Sequence, residues 1–243
     1  GLCVRGSFVV TQDDGINWRS FSMPGSQAVV KDIAKDAGNN FYAVCQGGPV
    51  AKFTGNLVLP ASEIPTPINF TWQPLSGPTG GQVRRLVKNS SNQLFAMGGE
   101  ALFRSNSATA SWDRVTISNS FYGAQDVLID NANKIYFLNT YQLITSTNGG
   151  NSWSVASGLS NAQKIVKAAN GNLLVADTDG VFLSTNDGSS FSKPATLSSG
   201  NITSLAVAST GTAFASRVLG GVASLWKSTD HGATWSTVSG VDL

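Results

Sequence analysis

The chain has 243 residues, of which 41% are hydrophobic and only 12% are charged, whereas about 25% of residues are charged in an average globular domain. Sixteen basic and fourteen acidic residues leave a net charge of +2, and the longest basic run is Arg84 with Arg85. This balance excludes the basic surface of a nucleic-acid-binding protein, and no apolar stretch is long enough to insert into a membrane as a helix.

Short apolar segments recur along the chain in a fixed order, and each unit begins with a strand that we call A. The A strands are predicted at residues 28–34, 82–88, 124–130, 163–169 and 202–208. Turns rich in Asn and Gly follow, because these residues tolerate the positive φ of tight hairpins. The B strands are predicted at residues 41–44, 94–97, 135–138, 173–176 and 213–215, and C strands follow, as at residues 181–184 and 223–226.

An eight-residue phrase, here called the repeat motif, connects strand C to strand D. Its best copy is S-T-D-H-G-A-T-W at residues 228–235, with further copies at residues 11–18, 146–153 and 184–191 and eroded ones ending at Trp112 and Trp72. The aromatic residues that end the copies, at positions 18, 72, 112, 153, 191 and 235, lie 54, 40, 41, 38 and 44 residues apart. A period near 40 with four short strands per unit is typical of the blades of a β-propeller.

The residue types of the repeat motif suit a structural role in a hairpin. The Asp or Asn side chain accepts hydrogen bonds from nearby backbone N–H groups, Gly supplies a positive φ, and the aromatic ring buries apolar surface. None of these roles needs a ligand. We therefore predict a structural role for Asp13, Gly15, Trp18, Trp112, Asn148, Gly150, Trp153, Asn186, Gly188, Phe191, Asp230, Gly232 and Trp235.

The phrase S-x-D-x-G-x-x-W resembles the Asp box, or bacterial neuraminidase repeat, of sialidases, sortilin-type receptor domains and photosystem II assembly factors. The resemblance implies an all-β fold, a β-propeller of four-stranded antiparallel blades that covers residues 1–243 as a single domain. It implies little about function, since the motif of those families lies away from their active sites.

Six copies of the motif predict six blades, and the alternative is that the chain is part of a propeller with seven or more. The two ends of the sequence together make a unit without a strand A, which keeps that alternative open. Residues 57–69 interrupt the second unit with Pro60, Pro65 and Pro67. We expect an ordered, projecting loop there.

Propellers bind ligands over the central channel, on the face built from the D-to-A loops and the B-to-C turns. The candidate ligand-binding residues predicted on that face are Arg5, Glu100, Tyr122, Tyr141, Asp177, Asp179 and Arg217. Arginine can hold a carboxylate through two hydrogen bonds, and exposed aromatic rings stack on sugars or peptides. Most of these connections are short, whereas a sugar pocket usually needs longer walls.

Two kinds of glycosidase chemistry can be compared with the chain. The sialidase pattern requires three arginines, a Tyr nucleophile paired with Glu, and an Asp acid/base, but the only glutamates are Glu63 and Glu100, and the set cannot be matched. A two-carboxylate glycosidase needs carboxyl groups roughly 5–9.5 Å apart. The candidates for it are Glu100, Asp177, Asp179, Asp32 and Asp126, of which the last two interrupt strand A and are expected to meet water in the channel.

The chain has one histidine and two cysteines, too few for a Cys/His metal site, so we predict no metal and no cofactor. His231 occupies a variable motif position and is expected to face solvent. The sequence favours a non-catalytic scaffold that binds a protein or glycan, and its uncharged, turn-rich composition indicates a secreted, periplasmic or cell-surface location. The alternative is a glycoside hydrolase or lectin of the sialidase-like propeller group. Neither a nucleic-acid partner nor membrane insertion is expected.

Overall fold

A computed structural model describes the backbone of residues 2–4, 7–10, 19–22, 30–35, 41–45, 50–54, 71–74, 83–99, 101–106, 111–117, 123–208 and 210–239. Side chains are described for Tyr42 and, from residue 83 onward, for the same ranges except residues 157 and 158. Three candidate ligand-binding residues (Arg5, Glu100 and Tyr122), three motif residues (Asp13, Gly15 and Trp18) and the insertion at residues 57–69 lie outside the described residues. All regular elements in the described ranges are β-strands, and they include no helix able to cross a membrane.

The chain divides into two compact units, and the first, Gly1–Val115, contains three antiparallel sheets with their strands in chain order. Sheet 1 consists of β1 (Leu2–Val4), β2 (Ser7–Val10) and β3 (Arg19–Ser22); sheet 2 of β4 (Val30–Lys35), β5 (Phe41–Cys45), β6 (Val50–Thr54) and β7 (Thr71–Pro74); and sheet 3 of β8 (Val83–Lys88), β9 (Leu94–Gly98), β10 (Leu102–Asn106) and β11 (Ser111–Val115). The first strand of each sheet contacts the first strand of the next. Trp112 is partly buried against the core of sheet 3.

The second unit, Thr116–Leu243, also contains three antiparallel sheets. Sheet 4 consists of β12 (Ala124–Ile129), β13 (Ile135–Asn139), β14 (Gln142–Ser146) and β15 (Ser154–Gly158); sheet 5 of β16 (Ala162–Lys167), β17 (Leu173–Asp177) and β18 (Gly180–Ser184); and sheet 6 of β19 (Asn201–Val207), β20 (Ala213–Leu219), β21 (Val222–Ser228) and β22 (Ser236–Thr237). The first strands β12, β16 and β19 are again neighbours. Alternating residues of facing sheets fill the space between them, with Leu138 and Val175 between sheets 4 and 5 and Ala176 and Ala215 between sheets 5 and 6.

Sheet 5 differs from the predicted four-stranded unit. The sequence predicts a fourth strand that begins at Phe191, but only an isolated bridge joins Leu183 and Ser192. Pro194 follows and lacks the backbone N–H that a paired strand requires. The Val181 N–H instead donates to the carbonyl of Leu197 at 3.1 Å, so an irregular segment covers the outer edge of β18.

A β-bulge interrupts the first strand of sheets 2 to 6. The extra residues are Lys31, Arg84, Gln125, Gln163 and Thr203. In sheet 4 the bulge precedes Asp126, whose carboxylate accepts hydrogen bonds from the backbone N–H of Val127 at 2.9 Å and from that of Ile165 in sheet 5 at 3.0 Å. Asp126 is only 3% exposed, so our expectation that it meets channel water is wrong. Its carboxylate links two sheets, while the side chain of Asp32 lies outside the described residues.

The three motif copies of the second unit close their hairpins in the same way. The Ser146 hydroxyl donates to Asn148 Oδ1 at 3.0 Å and accepts the Gly150 N–H at 2.9 Å. Ser184 with Asn186 and Gly188, and Ser228 with Asp230 and Gly232, repeat this pair of bonds within 0.2 Å. In the first and last copies the indole N–H of the terminal Trp donates to the carbonyl of the motif glycine. Phe191 cannot make this bond.

The motif glycines also give the neighbouring strands room to approach. Gly188 and Gly232 have φ of +88° and +93°, and a Cβ on them would lie 2.7 Å from Leu143 Cδ2 and 2.2 Å from Leu174 Cδ2 respectively. Both leucines belong to the preceding sheet. The glycine therefore permits the turn conformation and, at the same time, close packing between sheets.

Substitution of Gly232 by Ala is expected to lower the free energy of unfolding by more than the cost of placing a non-glycine residue at positive φ. The matched control is Gly171→Ala, since Gly171 has the same φ of +93° but no atom within 4 Å of a Cβ. The control should cost about 1–2 kcal/mol for conformation alone, and Gly232→Ala should cost roughly 1–3 kcal/mol more for overpacking. Urea unfolding would measure both, and equal losses would contradict the packing role.

Candidate functional site

The second strands of sheets 4, 5 and 6 carry a polar residue at one equivalent position. Asn139, Asp177 and Arg217 are each the fifth residue of their strand, counted from the residue that pairs with the motif serine. These positions lie at the end of the second unit that holds the turns between β13 and β14, β17 and β18, and β20 and β21. We call it the B-to-C end. It brings together four of the seven candidate ligand-binding residues, namely Tyr141, Asp177, Asp179 and Arg217.

Tyr141 projects from a turn that is fixed by hydrogen bonds. The buried side chain of Asn139 accepts the backbone N–H of Tyr141 at 2.8 Å and that of Gln142 at 2.7 Å. The Tyr141 carbonyl accepts the Leu159 N–H at 2.8 Å. Tyr141 is nevertheless 66% exposed. A rigid backbone with an exposed aromatic ring is suited to contact a ligand surface.

Asp177 is buried and only half satisfied. It is 2% exposed, its Oδ1 accepts the Asp179 N–H at 3.0 Å, and its Oδ2 has no hydrogen-bond partner. Burial raises the pKa of the Asp177 carboxyl group, and the bonds from Asp179 and Thr178 offset this only in part. A buried carboxylate oxygen without a partner reduces stability.

Asp179 lies in the same turn but is already paired. Its Oδ2 is 2.5 Å from Lys193 Nζ, and that ammonium group lies 5.2 Å from the centre of the Phe182 ring. The carboxylates of Asp177 and Asp179 therefore occupy different environments, one buried and one exposed in an ion pair. This arrangement does not provide two free carboxylates facing a common cleft, which a glycosidase of the two-carboxylate type requires.

Arg217 lies within strand β20, whereas the sequence predicts it in a turn. The strands of this hairpin pair as far as Leu219 and Val222, and the turn consists only of Gly220 and Gly221. The guanidinium group stacks on the Trp226 ring with a distance of 4.5 Å to its centre. Its Nε is buried without an acceptor. No hydrogen bond or ion pair joins Arg217 to Tyr141 or Asp177, so the four candidates share one end of the unit without forming one cluster.

Sequence reasoning missed a charged cluster at the opposite end of the unit. The Tyr136 hydroxyl contacts Asp187 Oδ1, Asp130 Oδ2 at 3.2 Å and Lys167 Nζ at 2.8 Å. Lys167 Nζ also binds Asp130 at 2.8 Å, and Lys134 Nζ binds Asp187 at 2.6 Å. The cluster joins sheet 4 to sheet 5. Only the charge at motif position 187, where another copy has Gly149, signals it in the sequence.

The charges of this cluster stabilise one another. Burial would raise the pKa of Asp187, but hydrogen bonds from Lys134, Tyr136 and Lys167 lower it to about 2. Burial would lower the pKa of Lys167, but its bonds to Asp130 and Tyr136 raise it. Burial and the bond to Asp187 raise the pKa of Tyr136. These shifts favour the charged forms of Asp187 and Lys167 and the neutral phenol of Tyr136, so the hydrogen bonds that link the two sheets are stable at neutral pH.

His231 is not the solvent-facing turn residue that the sequence predicts. It is partly buried, its φ is +58°, and its Nδ1 is buried without a hydrogen-bond partner. A Cβ on Gly211 would lie 2.6 Å from the imidazole Cε1, so the ring packs against that glycine. No group of three potential metal ligands occurs among the described residues.

The sequence matches no protein-family model and no curated protein, but solved structures are similar to the chain. A structure described as YCF48 bound to D1 peptide aligns with a TM-score of 0.67 and 14% identity over 97% of this chain and 76% of that one. Streptogramin B lyase aligns with a TM-score of 0.70 and 12% identity over 96% of this chain and 76% of its own. An ancestral GH74 enzyme aligns with a TM-score of 0.62 and 18% identity over 87% of this chain and 31% of its own.

These neighbours are β-propeller proteins. The fold is a β-propeller. The predicted fold class is thus confirmed, and the sheets are the blades of the propeller. Identities of 12–18% establish the fold alone. The six sheets found among the described residues are consistent with six blades, while the blade number and the single domain over residues 1–243 stay predictions.

Asp177→Asn is expected to stabilise the protein at neutral pH by about 1 kcal/mol, because it removes a buried charge. The folded state holds the Asp177 proton more tightly than the unfolded state does. The wild type is therefore destabilised above the raised pKa, and the difference between the two proteins should shrink as the pH falls through it. Denaturant unfolding from pH 4 to pH 8 would measure this. Asp179→Asn is the control, and a stability loss in Asp177→Asn at pH 7 would contradict the interpretation.

Proposed function

We propose that the chain is a non-catalytic scaffold that binds a protein partner through its B-to-C end. The observation that carries the proposal is that an aromatic ring and a guanidinium group at this end are available to contact a ligand, whereas the two carboxylates are buried or already paired. Tyr141 is exposed, and Arg217 makes no ion pair with the described residues. Asp177 is buried, and Asp179 is paired with Lys193.

Two further considerations support a protein partner. A structural neighbour of the chain is a propeller bound to a peptide, YCF48 with D1 peptide. We also infer that the repeat motif is an Asp box, since its three copies in the second unit share one hydrogen-bond geometry. A fastening hairpin of this kind leaves the opposite end of each blade free for recognition.

We propose further that the protein acts outside the cytoplasm, as a secreted, periplasmic or cell-surface scaffold. The support is compositional: 12% of residues are charged, and 26 residues are glycine. Fractionation of the source cells with detection by antibody would test this, and recovery in the cytoplasmic fraction alone would contradict it.

The catalytic alternative is tested by incubating the purified protein with a panel of chromogenic glycosides and a glycan array. We expect no turnover and no retained glycan. Turnover that Asp177→Asn or Asp179→Asn abolishes, while Asp130→Asn at the opposite end leaves it intact, would establish a glycoside hydrolase. Retention of a glycan without turnover would establish a lectin.

The binding proposal itself is tested by photo-crosslinking in the source cells. A benzoylphenylalanine in place of exposed Tyr141 should yield a discrete adduct with another protein. The control places the same group at Asn170, which is exposed in the turn between β16 and β17 at the opposite end. Equal adducts from both positions, or none from position 141, would contradict a binding surface at the B-to-C end.

A further inference from the structure

The hairpin of β20 and β21 is longer than its counterparts in sheets 4 and 5. Each of its strands has seven residues, whereas β13, β14, β17 and β18 have five. All three hairpins are in register at the motif serine, so the additional residues lie at the B-to-C end. Two more residues per strand extend the hairpin by roughly 7 Å.

One face of this extension is apolar and exposed. Leu219 pairs with Val222, and the two residues are 48% and 69% exposed. Because residues two apart share a face of a strand, Leu219 lies on the same face as Arg217 and Ala215. Ala215 packs in the core between sheets 5 and 6. The apolar pair therefore continues the face that is turned toward sheet 5, beyond the point where the β17–β18 hairpin ends.

Arg217 is held in place at the base of this face. Its ring-stacking partner Trp226 donates its indole N–H to Ser224 Oγ at 3.0 Å, and the Ser224 hydroxyl donates to the Arg217 carbonyl at 3.4 Å. A Cβ on Gly200 would lie 3.0 Å from Arg217 Cγ and Cδ, so the arginine side chain packs closely against this glycine. The guanidinium group is thus preorganised, and no carboxylate of the described residues neutralises it.

We propose that this surface, formed by Arg217, Leu219 and Val222, binds a peptide segment of the partner that presents a carboxylate next to an aliphatic side chain. The inference rests on the proposed function and specifies the partner's chemistry. A stacked, unpaired guanidinium is complementary to a carboxylate, which it can bind through two hydrogen bonds. The two aliphatic residues suit an aliphatic neighbour better than a sugar, since sugars stack on aromatic faces, and the Trp226 face is covered by Arg217.

The inference is tested with a peptide array. Each peptide has a Leu-Asp-Leu core with varied flanking residues, and each is paired with a counterpart whose core is Leu-Asn-Leu. Fluorescence anisotropy then gives the affinity of the best pair at low ionic strength. We expect the Asp peptide to bind more tightly than its Asn counterpart. Arg217→Met, which keeps the apolar stem, should weaken the binding of the Asp peptide about tenfold or more.

Two further variants and one control separate recognition from a loss of folding. Arg217→Lys keeps the charge without the planar fork and should give an intermediate affinity. Leu219→Ser combined with Val222→Ser should weaken both peptides alike, because both carry the leucines. Lys193→Met removes a positive charge at the same end, but one that is already paired with Asp179, and should leave the affinity unchanged.

The inference is overturned if no Asp peptide binds, if the Asn peptides bind equally well, or if Arg217→Met binds like the wild type. Crosslinks from position 141 together with an inert Arg217 would overturn this inference and leave the proposed function standing. Hydrolysis of a glycoside that Asp177→Asn or Asp179→Asn abolishes would overturn the proposed function instead.

Discussion

The buried serine hydroxyl that opens the repeat motif is the interaction on which the sheets of the second unit depend. Ser146, Ser184 and Ser228 are at most 3% exposed, and each hydroxyl donates one hydrogen bond and accepts another inside its hairpin. A buried hydroxyl without partners would be costly. Because these bonds fix the motif glycine at positive φ, the turn can lie directly against the leucines of the preceding sheet.

These motif hydrogen bonds are confined to one end of the sheets, so the two ends of the second unit have different roles. The motif turns and the Tyr136 cluster lie at the end where neighbouring sheets are held together by paired polar groups. The B-to-C end takes no part in those contacts, so its hairpins can differ in length and in side chains. The seven-residue strands of sheet 6 and the exposed ring of Tyr141 illustrate this freedom.

The strands and motif turns could be predicted from the sequence because they depend on local signals, namely apolar runs, Asn-Gly turns and the motif spacing. The position of Arg217 could not, since the prediction assumed a B strand of the usual length, whereas pairing continues to Leu219. The repeat pattern predicted a strand after Phe191 and gave no weight to Pro194, which lacks the backbone N–H that a paired strand requires. The hydrogen bond from Ile165 to Asp126 and the ion pair of Lys167 with Asp130 join residues more than 30 positions apart, and no local pattern encodes such contacts.

The charged groups of the two ends differ in how far they are paired within the fold. In the Tyr136 cluster the charges, which are partly buried or exposed, pair with one another within the fold, so the cluster leaves no unpaired charge for a ligand. At the B-to-C end, Asp177 Oδ2 and Arg217 Nε are buried without hydrogen-bond partners, although such groups reduce stability. The Arg217 side chain is also held rigid by Trp226 and by the space above Gly200. A rigid side chain loses little conformational entropy when it binds a ligand. A side chain that is both rigid and short of hydrogen-bond partners is therefore better suited to a recognition surface than to a purely structural role.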